Sequence, residues 1–542
     1  MTRSDPDAPA PAGIPTPADA PDRLIVTLPP PTPNGGLHVG HIAGPFLAAD
    51  VFAKAHKQAG KAVFVTTYND SNQSYVRVTA ERQGVDPMTL ALGNGRDIVE
   101  TLGLYGSDID AYVQPDADSD RFARELFLRL HADGALVAKD MPFFWSPARG
   151  AFLDEAGVTG FCPVCLDACK CGVCEGCTTV TTAKTILAPR DTVTGDTDLE
   201  IRRVRVLVLE VERWRDAIAA FYAANPRFRP RYRWVVEDAL AAGRLADFPV
   251  TLPGDWGIAV EHPDFPGQVI NAWAEVMADL LYCYRRAAEE TEAPRPPAVV
   301  NFFGHDNSYF YAIVHVALHA AAGETAWLPH ATVINEFYNL DNAKFSTSAG
   351  HVLWARDLVA RHDPDLIRFF LALHSPGFEK GNFTEAEMTA VIETEVASVW
   401  HRLATALNEA AGARPLAGAA PEPVLADAAG RAVRRVARSY AVERFHLRQA
   451  AEDLLHLLRF AAERAGAIDA APDPTARAAG VVALLHGFAE AAYPVMPAAA
   501  ARLGAALRDL AADRRPDLPP SLFLSPLRAT RDGMAAPAAA AS

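Results

Sequence analysis

The first 21 residues, "MTRSDPDAPAPAGIPTPADAP", are polar and proline-rich with no apolar period, and a disordered tail is expected over 1–21. The pattern then changes to a continuous apolar run, "DRLIVTL", which reads as a buried strand. A Pro- and Gly-rich loop follows, "PPPTPNGGLHVGH". In "IAGPFLAADVFAKAHKQAG" the apolar residues recur at helical spacing, and Gly60 marks the expected end of the helix. "KAVFVTTY" reads as a second strand. Strand, loop, helix and strand in this order open a parallel nucleotide-binding sheet. From about residue 100 to about 180 short strands and loops are expected around a run of cysteines, in the manner of an insertion. Strand and helix signals return at "VINAWAEVMADLLYCY" and "AVVNFFGHDNSYFYAIVHVALHAA", which complete the parallel domain. Beyond about residue 388 nearly everything has helical spacing, and the chain ends in the low-complexity "DGMAAPAAAAS". No internal repeat is visible.

Composition narrows the picture. The chain has 542 residues, 50% apolar and 22% charged, with room for several cores. A formal net charge of −15 argues against a nucleic-acid coat, although a local basic stripe such as Arg431, Arg434, Arg435 and Arg438 could touch a selected RNA. Six of the seven cysteines fall between Cys162 and Cys177, a clustering that suggests a metal site in a reducing compartment. The N-terminus lacks the apolar core of a secretion signal. The most apolar late stretch carries His486, Glu490, Arg502 and two prolines, so it reads as buried helix and not as a membrane span. A cytoplasmic protein without a membrane partner is expected.

Two motifs carry chemistry. In "NGGLHVGH", His38 and His41 lie three residues apart at a helix start, which places both imidazoles on one face. Gly35, Gly36 and Gly40 remove side chains where a base or phosphate would approach, and a helix start presents unpaired N–H groups to an anion. In "CPVCLDACKCGVCEGC", Cys162-x-x-Cys165 and Cys174-x-x-Cys177 form two thiolate pairs suited to tetrahedral Zn2+. Cys169 and Cys171 leave a second pairing open, since Cys171-x-x-Cys174 has the same spacing. No open coordination position for water is evident, so the zinc is expected to be structural.

His38-Val39-Gly40-His41 resembles the HIGH signature of class I aminoacyl-tRNA synthetases. An HxGH also occurs in nucleotidyltransferases, but those have no reason to carry a zinc-knuckle insertion. The stretch from "LGLYGSDIDAY" to "GFCPVC" is similar to the connective insertion of methionyl-tRNA synthetases. "NAWAEVMADLL", "NFFGHDNSYFYAIV" and "DNAKFSTSAGH" extend the likeness in colinear order, from about Arg23 to about Arg508. The resemblance implies an α/β protein: a Rossmann-like parallel-sheet catalytic domain with a zinc-knuckle insertion, followed by an all-α helical bundle. Its expected divisions are 22–105 and 256–387 for the two catalytic halves, 106–255 for the insertion, 388–512 for an anticodon-binding-like domain and 513–542 for a flexible tail.

The resemblance also implies a reaction and its residues. An amino-acid carboxylate attacks the α-phosphate of ATP, used with Mg2+, pyrophosphate leaves, and the aminoacyl group passes to tRNA. His38, Gly40 and His41 would meet the ATP phosphates, and Gly304, His305 and Asp306 the adenosine. Lys344 matches the first lysine of the family's KMSKS loop. Ser346 and Ser348 remain from it, while Thr347 replaces the second lysine. Asp70 matches the carboxylate that pairs with the substrate α-ammonium, and Trp273 the tryptophan lining the side-chain pocket.

The departures gather around the amino acid. Thr32 stands where the family usually has tyrosine, and Tyr311 where it has a pocket histidine. A thioether suits an apolar aromatic pocket. A small hydroxyl residue opens room and adds a hydrogen-bonding group, which admits a longer or more polar amino acid. The segment matching the family's anticodon-stacking region, "RAGAIDAAPDPTARAAG", has no aromatic residue. An alternative therefore stands beside tRNA charging: a paralogue that activates a non-methionine amino acid for a small-molecule acceptor. The precedent is the synthetase-like half of hydrazine-forming enzymes, which activates amino acids for coupling to an N-hydroxylated amine. A stand-alone cupin would then be the partner enzyme. Retention of His38, His41, Asp70 and Lys344 speaks against a non-catalytic remnant.

Overall fold

The apolar run after residue 22 becomes the middle strand of a parallel sheet. The computed structural model describes residues 21–241, 243, 245–291, 296–345, 350–511 and 518–523. The sheet strands are β1 (Arg23–Thr27), β2 (Ala62–Tyr68), β3 (Ala111–Val113), β4 (Ala298–Gly304) and β5 (Ala331–Asn335). Their spatial order is β5-β4-β1-β2-β3, with every neighbouring pair parallel. Ile25 is fully buried and lies in register between Phe64 of β2 and Val299 of β4. Burial on both faces explains why β1 shows no alternation of polar and apolar residues. The winding direction reverses between β1 and β4, and ligands of such sheets bind at the carboxyl ends of the strands beside that reversal. The segments following β1, β2 and β4 carry the HxGH motif, Asp70 and Gly304 to Asp306 respectively.

The expected helix from Ile42 to Gly60 is regular only over Leu47–Gln58. Gly44 departs from helical values, with φ −82° and ψ −117°, and Pro45 beside it has no N–H to donate. Gly60 then turns the chain with φ +81°.

The stretch expected as short strands also holds a long helix, Ala117–Ala132. Asp116 caps it, one carboxylate oxygen accepting from the amides of Asp118 at 2.9 Å and Ser119 at 3.0 Å. Its polar first turn hides the apolar spacing of Ala123, Phe127 and Leu130 further on. The sheet reaches into this stretch as well, because β3 pairs with β2 although it falls within 106–255. The strands Val137–Ser146 and Glu200–Leu209 form a long antiparallel ribbon, and Val158–Phe161 pairs with both Ala168–Lys170 and Leu187–Asp191 around the cysteines.

Towards the C-terminus, Ser398–Ala413, Pro423–Tyr440, Leu447–Ala465, Pro474–Ala492 and Pro497–Ala511 are helices packed together. In the basic run, Arg435 is paired with Asp453 at 2.8 Å and Arg431 with Asp427 at 3.5 Å. No helix among the described residues is long and apolar enough to cross a membrane.

One buried cation joins the sheet domain to these helices. Arg368, 1% exposed, stands 2.7 Å from Asp50 Oδ2. It donates to the carbonyls of Val495 at 2.8 Å, Pro494 at 2.7 Å and Tyr105 at 3.1 Å. Asp50 also accepts from Lys54 at 2.6 Å. Burial alone would raise the Asp50 carboxyl, but Arg368 and Lys54 outweigh it and hold it below the ordinary range. Arg368→Ala leaves buried Asp50 with Lys54 as its one remaining cation among the described residues and strips three carbonyls of a donor, and is expected to cost about 3–5 kcal/mol in urea unfolding. A loss below about 1 kcal/mol would show that the junction does not depend on it.

Candidate active site

The HxGH segment folds into a reciprocal cap. The His41 amide donates to His38 Nδ1 at 3.3 Å, and the His38 amide donates to His41 Nδ1 at 3.3 Å. This lays the two imidazoles face to face, with centroids 3.6 Å apart and planes 13° from parallel. Phe345 stacks on the other face of His38, at 4.4 Å and 7°. Gly40 is what permits the approach: a Cβ there would lie 3.0 Å from the Phe345 ring and 3.1 Å from that of His38. Crowding strips water from the rings and lowers His38 to about 2 and His41 to about 4, although His41 keeps an exposed edge. Both are therefore neutral near pH 7, each able to donate one N–H.

Lys344, adjacent to Phe345, reaches the zinc-knuckle segment. Its Nζ lies 2.6 Å from Glu175 Oε2 and 5.1 Å from the centroid of the Phe337 ring. Partial burial works against the ammonium, but Glu175 and Asp306 outweigh it and hold its pKa above the usual lysine range. Asp306 in turn is pushed up to about 6 by burial and by Glu175. The loop lysine and the residues after β4 thus share one electrostatic neighbourhood. Ser346, Thr347 and Ser348 lie outside the described residues.

Gly304 ends β4, and a Cβ on it would fall 2.5 Å from Asp306 Oδ1. His305 is 5% exposed, its Nδ1 has no hydrogen-bond partner, and burial lowers its pKa to about 4. Asp70, just past β2, is 3% exposed with Oδ1 unpartnered, and burial pushes it up to about 8. Its amide donates to the Pro31 carbonyl at 3.3 Å, which ties it to the loop holding half-buried Thr32.

Trp273 stacks on Phe310 at 3.9 Å, and its indole N–H donates to Glu155 at 2.7 Å. Tyr311 stacks on Phe303 at 4.0 Å and leans on His315, whose Nε2 is 2.9 Å from the Trp273 carbonyl. Sequence reasoning missed Glu155, Glu175 and Phe345. Glu175 alone left a visible mark, as the charged residue between two expected zinc ligands in "CEGC".

The four Sγ atoms of Cys162, Cys165, Cys174 and Cys177 all lie within 4.8 Å of one another. Cys162 to Cys177 and Cys165 to Cys174 are each 3.6 Å. Tetrahedral Zn–S bonds of ~2.3 Å place sulfurs roughly 3.8 Å apart, so this donor set fits zinc. Cys169 and Cys171 lie outside the group, which resolves the alternative pairing. A Zn2+ held there would cross-link the segment that carries Glu175, with no ligand position left for water.

Elemental analysis is expected to find one zinc per chain. Cys174→Ser should lose it and lower the melting temperature, whereas Cys171→Ser should keep it. Equal zinc in both variants would refute the assignment. The Lys344–Glu175 pair is 64% and 44% exposed, so Glu175→Ala should change urea stability by less than about 1 kcal/mol. A larger loss would mean that the pair braces the fold.

The family model described as "tRNA synthetases class I (M)" matches residues 24–406. The methionine–tRNA ligase of Roseiflexus sp. (strain RS-1) is 28% identical over 408 residues, covering 71% of this chain and 68% of the relative. That of Thermomicrobium roseum is 27% identical over 417 residues, covering 74% and 70%. The fold is similar to Mycobacterium tuberculosis methionyl-tRNA synthetase bound by methionyl-adenylate, with a TM-score of 0.71 and 21% identity over 93% of this chain and 98% of that one. The family model spans well over half of the sequence, and the chain belongs to the class I methionyl-tRNA synthetase family.

Proposed function

We propose that this chain is an ATP-dependent ligase that activates an amino acid as its adenylate and transfers the aminoacyl group to tRNA in the cytoplasm. The observation that carries this reading is convergence. The HxGH imidazoles, Asp70 and Asp306 follow three strands of one parallel sheet, and Lys344, from a separate small sheet, joins them through Phe345 stacked on His38 and through its field on Asp306. Membership of a family of adenylate-forming ligases supports the same reading.

In this mechanism Asp70 accepts the substrate α-ammonium, whose charge draws the buried carboxyl into its ionised form. One carboxylate oxygen of the amino acid attacks the α-phosphorus, and the bond to pyrophosphate breaks. The protein's task is to neutralise charge spreading over the phosphate oxygens. His38 and His41 act as neutral N–H donors there, and Mg2+ would accompany the nucleotide. Lys344 exchanges Glu175 for the more negative phosphates. His305 and Asp306 hold the adenosine side, with Gly304 leaving room for it. A hydroxyl of the tRNA 3′ adenosine then attacks the adenylate carbonyl, and AMP leaves. Thr32, Trp273 and Tyr311 line the side-chain end of the amino acid.

ATP–pyrophosphate exchange over a panel of amino acids, with and without total tRNA, tests the reading. His41→Ala and Lys344→Ala are each expected to lower exchange about 100-fold or more, the scale of losing one transition-state donor. Full activity in both variants would overturn the site assignment. No exchange with any amino acid would overturn the ligase reading itself.

A further inference from the structure

The helix Ala272–Glu290, which begins beside Trp273, buries two more carboxyl groups one turn apart. Glu275 is 0% exposed and Asp279 3%. Glu275 Oε1 accepts from Asn72 at 2.8 Å, but its Oε2 has no partner, and neither oxygen of Asp279 has one. Across from them stands fully buried Tyr68, whose hydroxyl is also without a partner. Tyr68 lies in the fields of Asp70, Asp279, Glu275 and Tyr311 together, so these five side chains form one buried group. Burial first, then Asp279 and Asp70 at Glu275 and Asp70, Asp120 and Asp116 at Asp279, push both carboxyls well above the usual range.

A single carboxylate suffices for an α-ammonium. This site holds two more, and Asp279 has no donor at either oxygen, from which a fold by itself gains nothing. A compact metal ion does not suit them: among the described residues, the four cysteines are the one set bringing three or more donor atoms within 4.8 Å. Asp70 follows β2, while Glu275 and Asp279 lie one turn apart on the facing helix, so a cation with two charged ends could meet both sets. Trp273, at the start of the same helix, is half-buried against Phe310, and Tyr311 is buried against Phe303, so an alkyl stem there would lie beside aromatic walls. An arriving cation would favour ionisation of both acids.

We propose that Asp279, with Glu275, binds a second ammonium or guanidinium at the side-chain end of the substrate, so that the activated compound is a basic amino acid. This rests on the amino-acid-activation reading above and specifies its substrate class. The test is ATP–pyrophosphate exchange by the full chain with lysine, ornithine, arginine, methionine and norleucine, the last being lysine without its ammonium. At least one basic amino acid should exceed methionine and norleucine tenfold or more in kcat/KM. Asp279→Asn should lower that value at least tenfold, mainly through KM, and leave norleucine exchange unchanged or raised. Glu275→Gln should act in the same direction, and the wild-type order decides alone if a variant fails to fold. Exchange led by methionine or norleucine would overturn the proposal while leaving the ligase reading intact. Exchange with none of the five and with no other amino acid would remove both.

Discussion

The architecture depends on one buried charge pair. Arg368 is nearly inaccessible to water, yet it meets Asp50 from the sheet domain and three carbonyls from two other parts of the chain. Arg368 could not be buried alone, because its desolvation cost is recovered against Asp50 and the carbonyls it meets. Lys54 adds a second cation to Asp50 and also donates to the Gly106 carbonyl at 2.8 Å. The pair and its carbonyls therefore register the helix Leu47–Gln58 against the turn after Pro494. That helix follows directly from the HxGH segment, so the motif is placed by the same buried contacts.

The chemistry is set by local crowding rather than by formal charge. The formal net charge of the whole chain is −15, and the two imidazoles of the HxGH segment add no positive charge near pH 7. Uncharged rings can stack at 3.6 Å, where two imidazolium ions would repel. Lys344 brings a positive charge to the site, and in the structure it is paired with Glu175. The insertion thus reaches into the catalytic edge twice, through Glu175 to the loop lysine and through Glu155 to Trp273.

The sheet was legible in the sequence because buried parallel strands leave unbroken apolar runs, as in "DRLIVTL" and "KAVFVTTY". The four-cysteine cluster was legible as two C-x-x-C pairs, but spacing could not set Cys171 apart from it, and the folded positions do. The helix Ala117–Ala132 was hidden by its acidic first turn, which is a cap and not a loop. Contacts between distant segments left no local signal. Trp273 and Glu155 are 118 residues apart and Lys344 and Glu175 are 169 apart, and no periodicity connects either pair. Asp279 reads in sequence as one polar residue in an amphipathic helix, and its burial appears only when β2 is laid across it.

The ring sandwich makes residues 40 and 345 one unit of inheritance. A β-carbon at 40 would press on the aromatic side chain at 345, at 3.0 Å, and on His38, at 3.1 Å, so one of these rings would have to give. A phenylalanine at 345 is in turn crowded by any side chain at 40. Two signatures written at opposite ends of the catalytic domain are therefore coupled. A chimaera taking its HxGH segment from one relative and its lysine loop from another would join halves shaped against different neighbours, however well each half matched its own consensus.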